Sequence, residues 1–196
     1  MNPFFRGVRG STRLLRNPTD ELRIAGLFSA IHFLLYLFFH EMARRVGLHF
    51  DDKLATSLHF LTAVPIYLGM GRLAGLSGSA SVWWTSRAVL VLLGLHTLLY
   101  VSENGSVWVF RLYLFAGILY GLTVLALVRK TGAPAVFTGL LILLLFACRL
   151  ILLEAYSNGR YYLHLGSMIL LSCAYLIWFY RAARELEGRK TTDVNP

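Results

Sequence analysis

"GLLILLLFACRLILLEAY", residues 139–156, is one continuous apolar run in which only Arg149 and Glu154 carry charge. At about 1.5 Å of rise per residue, a helix of this length approaches the ~30 Å of a hydrocarbon layer. A membrane β-strand would instead alternate polar and apolar residues over short segments, so the run points to a transmembrane helix. The same reading, carried along the chain, gives six apolar runs at 22–40, 54–71, 83–101, 107–128, 134–155 and 161–180. The fold expected is therefore all-α: an integral membrane bundle of six transmembrane helices spanning residues 22–181. It is flanked by an amphipathic N-terminal segment, 1–21, and a polar tail, 182–196.

Composition agrees with a bilayer environment. Of the 196 residues 57% are hydrophobic and 15% charged, against about a quarter charged in an ordinary soluble domain. The net charge of +9 is distributed by loop and forms no single patch, so a nucleic-acid partner is not indicated. Arg6, Arg9, Arg13, Arg16, Arg72, Arg87, Arg129, Lys130, Arg181, Arg184, Arg189 and Lys190 fall on one side, and Arg44, Arg45, Lys53 and Arg160 on the other. The positive-inside rule then sets both termini in the cytoplasm, as expected of a multi-pass protein of a bacterial inner membrane. No cleavable signal peptide is read in the first 21 residues, because no apolar core precedes Leu22. "NPTDE" at 17–21 has the form of a helix start, with Asn17 or Thr19 as cap. Cys148 and Cys173 lack any CxxC spacing and read as small core residues. The short connections "SENGS", "KTGA" and "SNG" leave no room for an extramembrane domain, so the bundle is one unit.

Ionisable residues inside a membrane are costly and need partners. Counted from the outer span ends, His59 and His96 lie roughly 8 Å deep, and Arg111, Arg149 and His164 roughly 6–9 Å deep. His40, Glu41 and Glu154 mark the outer rim, and His32 sits near the middle. Taken singly, each histidine reads more readily as an interfacial hydrogen-bonding residue than as a ligand, and Arg111 equally well as a chain snorkelling to headgroups. Taken together, imidazoles in an apolar slot suit b-type haem, and arginines at one face suit its propionates. His59, His164 and His96 with Arg111 and Arg149 are the candidate cofactor-binding set. His59 and His164 lead because they share a depth on helices entering from the same side. Copper on His40, His59 and His164, with Met42 nearby, is the other metal the donors would suit.

"HEM" at His40, Glu41 and Met42, "LTAVP" at Leu61 to Pro65 and "NPFFRG" at Asn2 to Gly7 resemble motifs of the NnrS family, haem- and copper-containing membrane proteins associated with nitric oxide metabolism. The resemblance implies a haem or copper site on the outer side using His40 and His59. The chain is about half the usual family length, and Phe38 stands where the family favours a further histidine.

Rival functions remain. "GLSG" at 75–78 with "HLGS" at 164–167 mimics an intramembrane serine protease. Ser77 and His164 are, however, about 20 Å apart by helix rise, beyond hydrogen-bond reach. A non-catalytic subunit of a larger membrane complex, or of a homo-oligomer, fits the lack of extramembrane domains. A small transporter or proton pathway would use Arg149, Glu154 and His164.

Overall fold

The computed structural model describes residues 17–39, 52–154 and 158–192, and every regular element among them is helical. There are six long helices, α1 (Pro18–Leu37), α2 (Asp52–Leu76), α3 (Ala80–Val101), α4 (Val107–Leu125), α6 (Ala133–Glu154) and α7 (Asn158–Thr192), with one helical turn, α5 (Val128–Thr131), between α4 and α6. Five of them, α2, α3, α4, α6 and α7, are long and apolar enough to cross a membrane. α1 has 20 residues, but Asp20, Glu21 and Arg23 crowd its start. α7 runs on as helix to Thr192, so the polar tail expected from 182 onward is helical for most of its length.

Local signals account for the helix ends. The Asn17 side chain accepts a hydrogen bond from the Thr19 amide at 3.3 Å, Pro18 occupies the first turn, and Asp20 and Glu21 complement the amino-terminal dipole. Ser106 caps α4 by accepting from the Val109 amide at 3.4 Å. α2 ends where Gly78 adopts φ +64°, a left-handed turn that glycine enters without steric cost. The Lys130 ammonium then donates to the Ser77 and Gly78 carbonyls at 2.9 and 3.1 Å, tying α5 to that turn.

Each long helix packs on its neighbours in sequence, and α1 closes against α7, so the six form a ring. Its two ends differ. At the end holding the starts of α1, α3 and α6, the centre is solid: Leu22, Ala25, Met70, Ala74, Val82, Tyr120, Val124, Ala135, Ile142, Phe179 and Ala183 are fully buried. Arg23 pairs with Glu187 at 2.8 Å and Arg72 with Glu21 at 3.2 Å. Both ion pairs are partly exposed, so they fix register more than they add stability. They bring the start of α1 and the end of α7 to the same end of the ring.

Outward faces carry the opposite pattern. Leu27 and Leu34 on α1, Leu61 and Leu68 on α2, Leu112, Phe115, Leu119 and Leu122 on α4, and Leu163, Leu170 and Ile177 on α7 are all exposed. Their spacing of three, four or seven residues keeps each set on one helix face. An apolar exterior around a partly polar interior is what a lipid solvent selects, and it would aggregate in water.

Candidate functional site

The other half of the ring is hollow. A cavity of about 330 Å³ is lined by residues from all six long helices: His32 and Tyr36 from α1, Thr56, His59, Phe60, Ala63, Ile66 and Tyr67 from α2, Leu93, His96 and Thr97 from α3, Phe110 and Tyr113 from α4, Leu145, Phe146 and Arg149 from α6, and His164, Met168, Leu171, Ser172 and Tyr175 from α7. Helical periodicity generates these walls. Positions 56, 59, 60, 63, 66 and 67 form one stripe on α2, and 164, 168, 171, 172 and 175 form another on α7, each stepping by three or four residues.

Two half-walls face each other. In the first, from α1, α2 and α7, the His32 and His59 rings meet edge to face with centroids 5.2 Å apart. Tyr36 lies against both His59 and His164, at 5.4 and 5.8 Å. The His32 Nδ1 is 2.8 Å from the Thr62 hydroxyl oxygen. That hydroxyl donates back to the Leu58 and His59 carbonyls at 2.9 and 3.2 Å. The Thr62 hydroxyl thus links the His32 ring to the α2 backbone, with the direction of the His32–Thr62 bond set by the tautomer of His32.

In the second half-wall, from α3, α4 and α6, His96 packs on Phe110 at 4.7 Å and lies parallel to Tyr113 at 6.4 Å. Tyr113 in turn meets the edge of Phe146 at 5.3 Å. The Arg149 guanidinium donates to the Tyr113 hydroxyl at 3.0 Å. Among the described residues Arg149 has no carboxylate partner; the ion pairs there all lie near the ends of the bundle. Thr97 is 7% exposed, and its hydroxyl has no hydrogen-bond partner among the described residues. A helical threonine ordinarily returns its proton to the carbonyl one turn back. Below the cavity, the Tyr175 hydroxyl lies 3.4 Å from that of Tyr120, which closes the floor.

Of the residues singled out from the sequence, the structure brings His59, His96, His164 and Arg149 to one cavity. It divides them between the two half-walls, so His59 keeps company with His32 and His164 rather than with His96. Arg111 is not among the lining residues of this cavity, and its guanidinium sits over the Trp108 ring at 5.4 Å. Phe110 and Tyr113 define the inward face of α4, and at about 100° per residue position 111 points well away from it. His40, Glu41 and Met42 lie outside the described residues, as does the side chain of Glu154. His32, Tyr36, Thr97, Tyr113 and the floor tyrosines were not singled out from the sequence as site residues. The signal for them is the spacing of polar and aromatic residues by three or four on each helix, as in His32–Tyr36. Ser77 belongs to the turn at the solid end, on α2–α3, while His164 lines the cavity, which leaves the protease arrangement without a dyad.

Among the described residues no three His, Cys, Asp or Glu side chains converge as a metal-ion set. Tyr36 packs on both His59 and His164, so these two imidazoles share a phenol neighbour. No protein-family model, curated protein or solved structure matches this chain.

Proposed function

We propose that this chain is a six-span inner-membrane protein, with both termini cytoplasmic, whose helix ring holds an anionic small molecule in its outer half as the binding site of a small transporter or carrier. The observation that carries this reading is Arg149. A guanidinium in the wall of an intramembrane cavity, bonded to a neutral phenol and without a carboxylate among the described residues, is an unbalanced charge in a low-dielectric setting. A bound anion balances it. α1 serves as the sixth span because its apolar stretch closes the ring between α2 and α7, while its charged first turn lies among the basic residues of the solid end. The excess of Lys and Arg at that end sets it in the cytoplasm, and the cavity then faces outward.

A second reading is favoured by the presence of His32, His59 and His164 on the same cavity: a haem b or copper centre in redox or nitric-oxide-related metabolism, with Arg149 meeting a propionate. When bound, such a group would supply electron transfer or ligand binding at the metal. The donor geometry supports it less well than a plain anion, because Tyr36 occupies the space against both leading imidazoles and Arg111 lies off the wall.

One preparation tests both readings. The protein is purified from membranes, its absorption spectrum is taken as isolated and after dithionite, and an organic extract is analysed by negative-ion mass spectrometry beside that of Arg149→Met. An anionic species enriched in the native extract and lost in the variant, without a Soret band, is expected. Identical extracts would contradict anion binding, and a Soret band that shifts on reduction would promote the haem reading.

A further inference from the structure

We propose that the α3/α4/α6 half-wall is a subsite for a single carboxylate, held by the Arg149 guanidinium and the hydroxyls of Tyr113 and Thr97. The inference rests on the anion-binding reading and narrows it to one chemical class and three donors.

Three observations converge on that wall. Arg149 donates to the Tyr113 oxygen at 3.0 Å, which uses one of its five N–H groups and leaves four for a ligand, and the Tyr113 hydroxyl also neighbours that of Tyr67 on the same lining. Thr97 brings a second hydroxyl to the cavity lining, buried and without a partner among the described residues, although the backbone one turn back offers an acceptor. A buried polar group left unmade costs free energy, and a ligand oxygen at this point removes that cost. Thr97 and His96 both line the cavity from α3, and the His96 ring lies parallel to Tyr113 at 6.4 Å, so the hydroxyls of Thr97 and Tyr113 open on one cavity from neighbouring helices.

The donor set selects a carboxylate over other anions. One cation balances one negative charge, whereas a phosphate monoester carries about −1.5 to −2 at neutral pH and would remain undercompensated in a low-dielectric site. The planar guanidinium fork matches the two oxygens of a carboxylate. The rest of the lining is dominated by aliphatic and aromatic side chains such as Ile66, Leu93, Leu145 and Phe146. The ligand that fits is an organic acid with an apolar body and one carboxylate.

The probe is a matched pair, radiolabelled para-tert-butylbenzoate and its neutral carboxamide, measured by equilibrium dialysis against the full-length protein in nanodiscs of zwitterionic lipid. The carboxylate is expected to bind at least tenfold more tightly than the amide. Arg149→Met abolishes that preference, while Thr97→Val and Tyr113→Phe, which remove only the hydroxyls, reduce it several-fold. Equal binding of the two probes to the native protein, or a preference that survives in Arg149→Met, overturns the subsite and leaves a cavity that binds through apolar area alone. Failure of both probes to bind overturns the subsite and the anion-binding reading together. Thermal melting of each variant in the same discs establishes that it remains folded.

Discussion

Gly117→Ala is expected to destabilise the bundle by about 1–3 kcal/mol, the range for overpacking a well-filled contact. A methyl group at 117 would overlap the Phe146 ring, which packs directly on the bare backbone of α4. Phe146 is 2% exposed and also meets Tyr113, one turn before Gly117 on α4, at 5.3 Å, so a shift of its ring disturbs a residue of the cavity wall. Gly121 and Gly139 repeat the device along the same α4/α6 seam, where an added Cβ would meet Leu143 at 2.9 Å and Leu125 at 2.7 Å. With lipid outside, helix association draws on such close approaches rather than on the hydrophobic effect. The measurement is the fraction folded against denaturant in mixed micelles. Adding Phe146→Leu to Gly117→Ala shrinks the knob that clashes and is expected to recover part of the loss. A Gly117→Ala protein as stable as the native one would show that α4 and α6 are not in this contact.

Arg149→Met should act in the opposite sense. In the protein without ligand the guanidinium faces the cavity with one neutral hydrogen-bond partner, so replacing it by an apolar chain of similar length removes an uncompensated charge. The expected gain is about 1–3 kcal/mol, partly offset by the bond lost at Tyr113. At about 2–4 °C per kcal/mol for a domain of this size, the melting temperature should rise measurably. Greater stability bought with lost binding is the usual signature of a functional polar group. A variant that melts well below the native protein would mean that Arg149 is structurally paired, and the ligand site would lose its anchor.

How much of this was legible beforehand follows from what helix geometry encodes. Run length and charge distribution report spans and depth, because rise per residue is fixed; His59, His96, His164 and Arg149 accordingly share one cavity. Depth says nothing about azimuth. Arg111 lies at a similar depth to Arg149 yet stacks on Trp108, since its inward neighbours on α4 are Phe110 and Tyr113. The division of the histidines into two half-walls depends on which helices are neighbours around the ring, and no single-helix pattern contains that order. α1 closing on α7 is what sets Tyr36 against His164. The cavity tyrosines are not legible in the sequence because aromatic residues in a greasy helix look like ordinary core. Their hydroxyls acquire meaning only once the cavity shows that Tyr113 meets a guanidinium and Tyr175 a second phenol.

The most direct test of an outward-facing cavity charged by Arg149 is the reactivity of a single thiol within it. Cys148 and Cys173 are replaced by alanine, and Ser172, which lines the cavity from α7, by cysteine. Intact cells are treated with membrane-impermeant methanethiosulfonates, one carrying a sulfonate and one a trimethylammonium group, and each rate is normalised to that of free cysteine in solution. Thiols react as thiolates and therefore need water and a route from outside. The expected result is a thiol that reacts with both reagents, with a several-fold preference for the sulfonate that disappears when Arg149→Met is added. A thiol protected from both reagents, or a charge preference that does not change when Arg149 is replaced, would contradict the cavity and its cation.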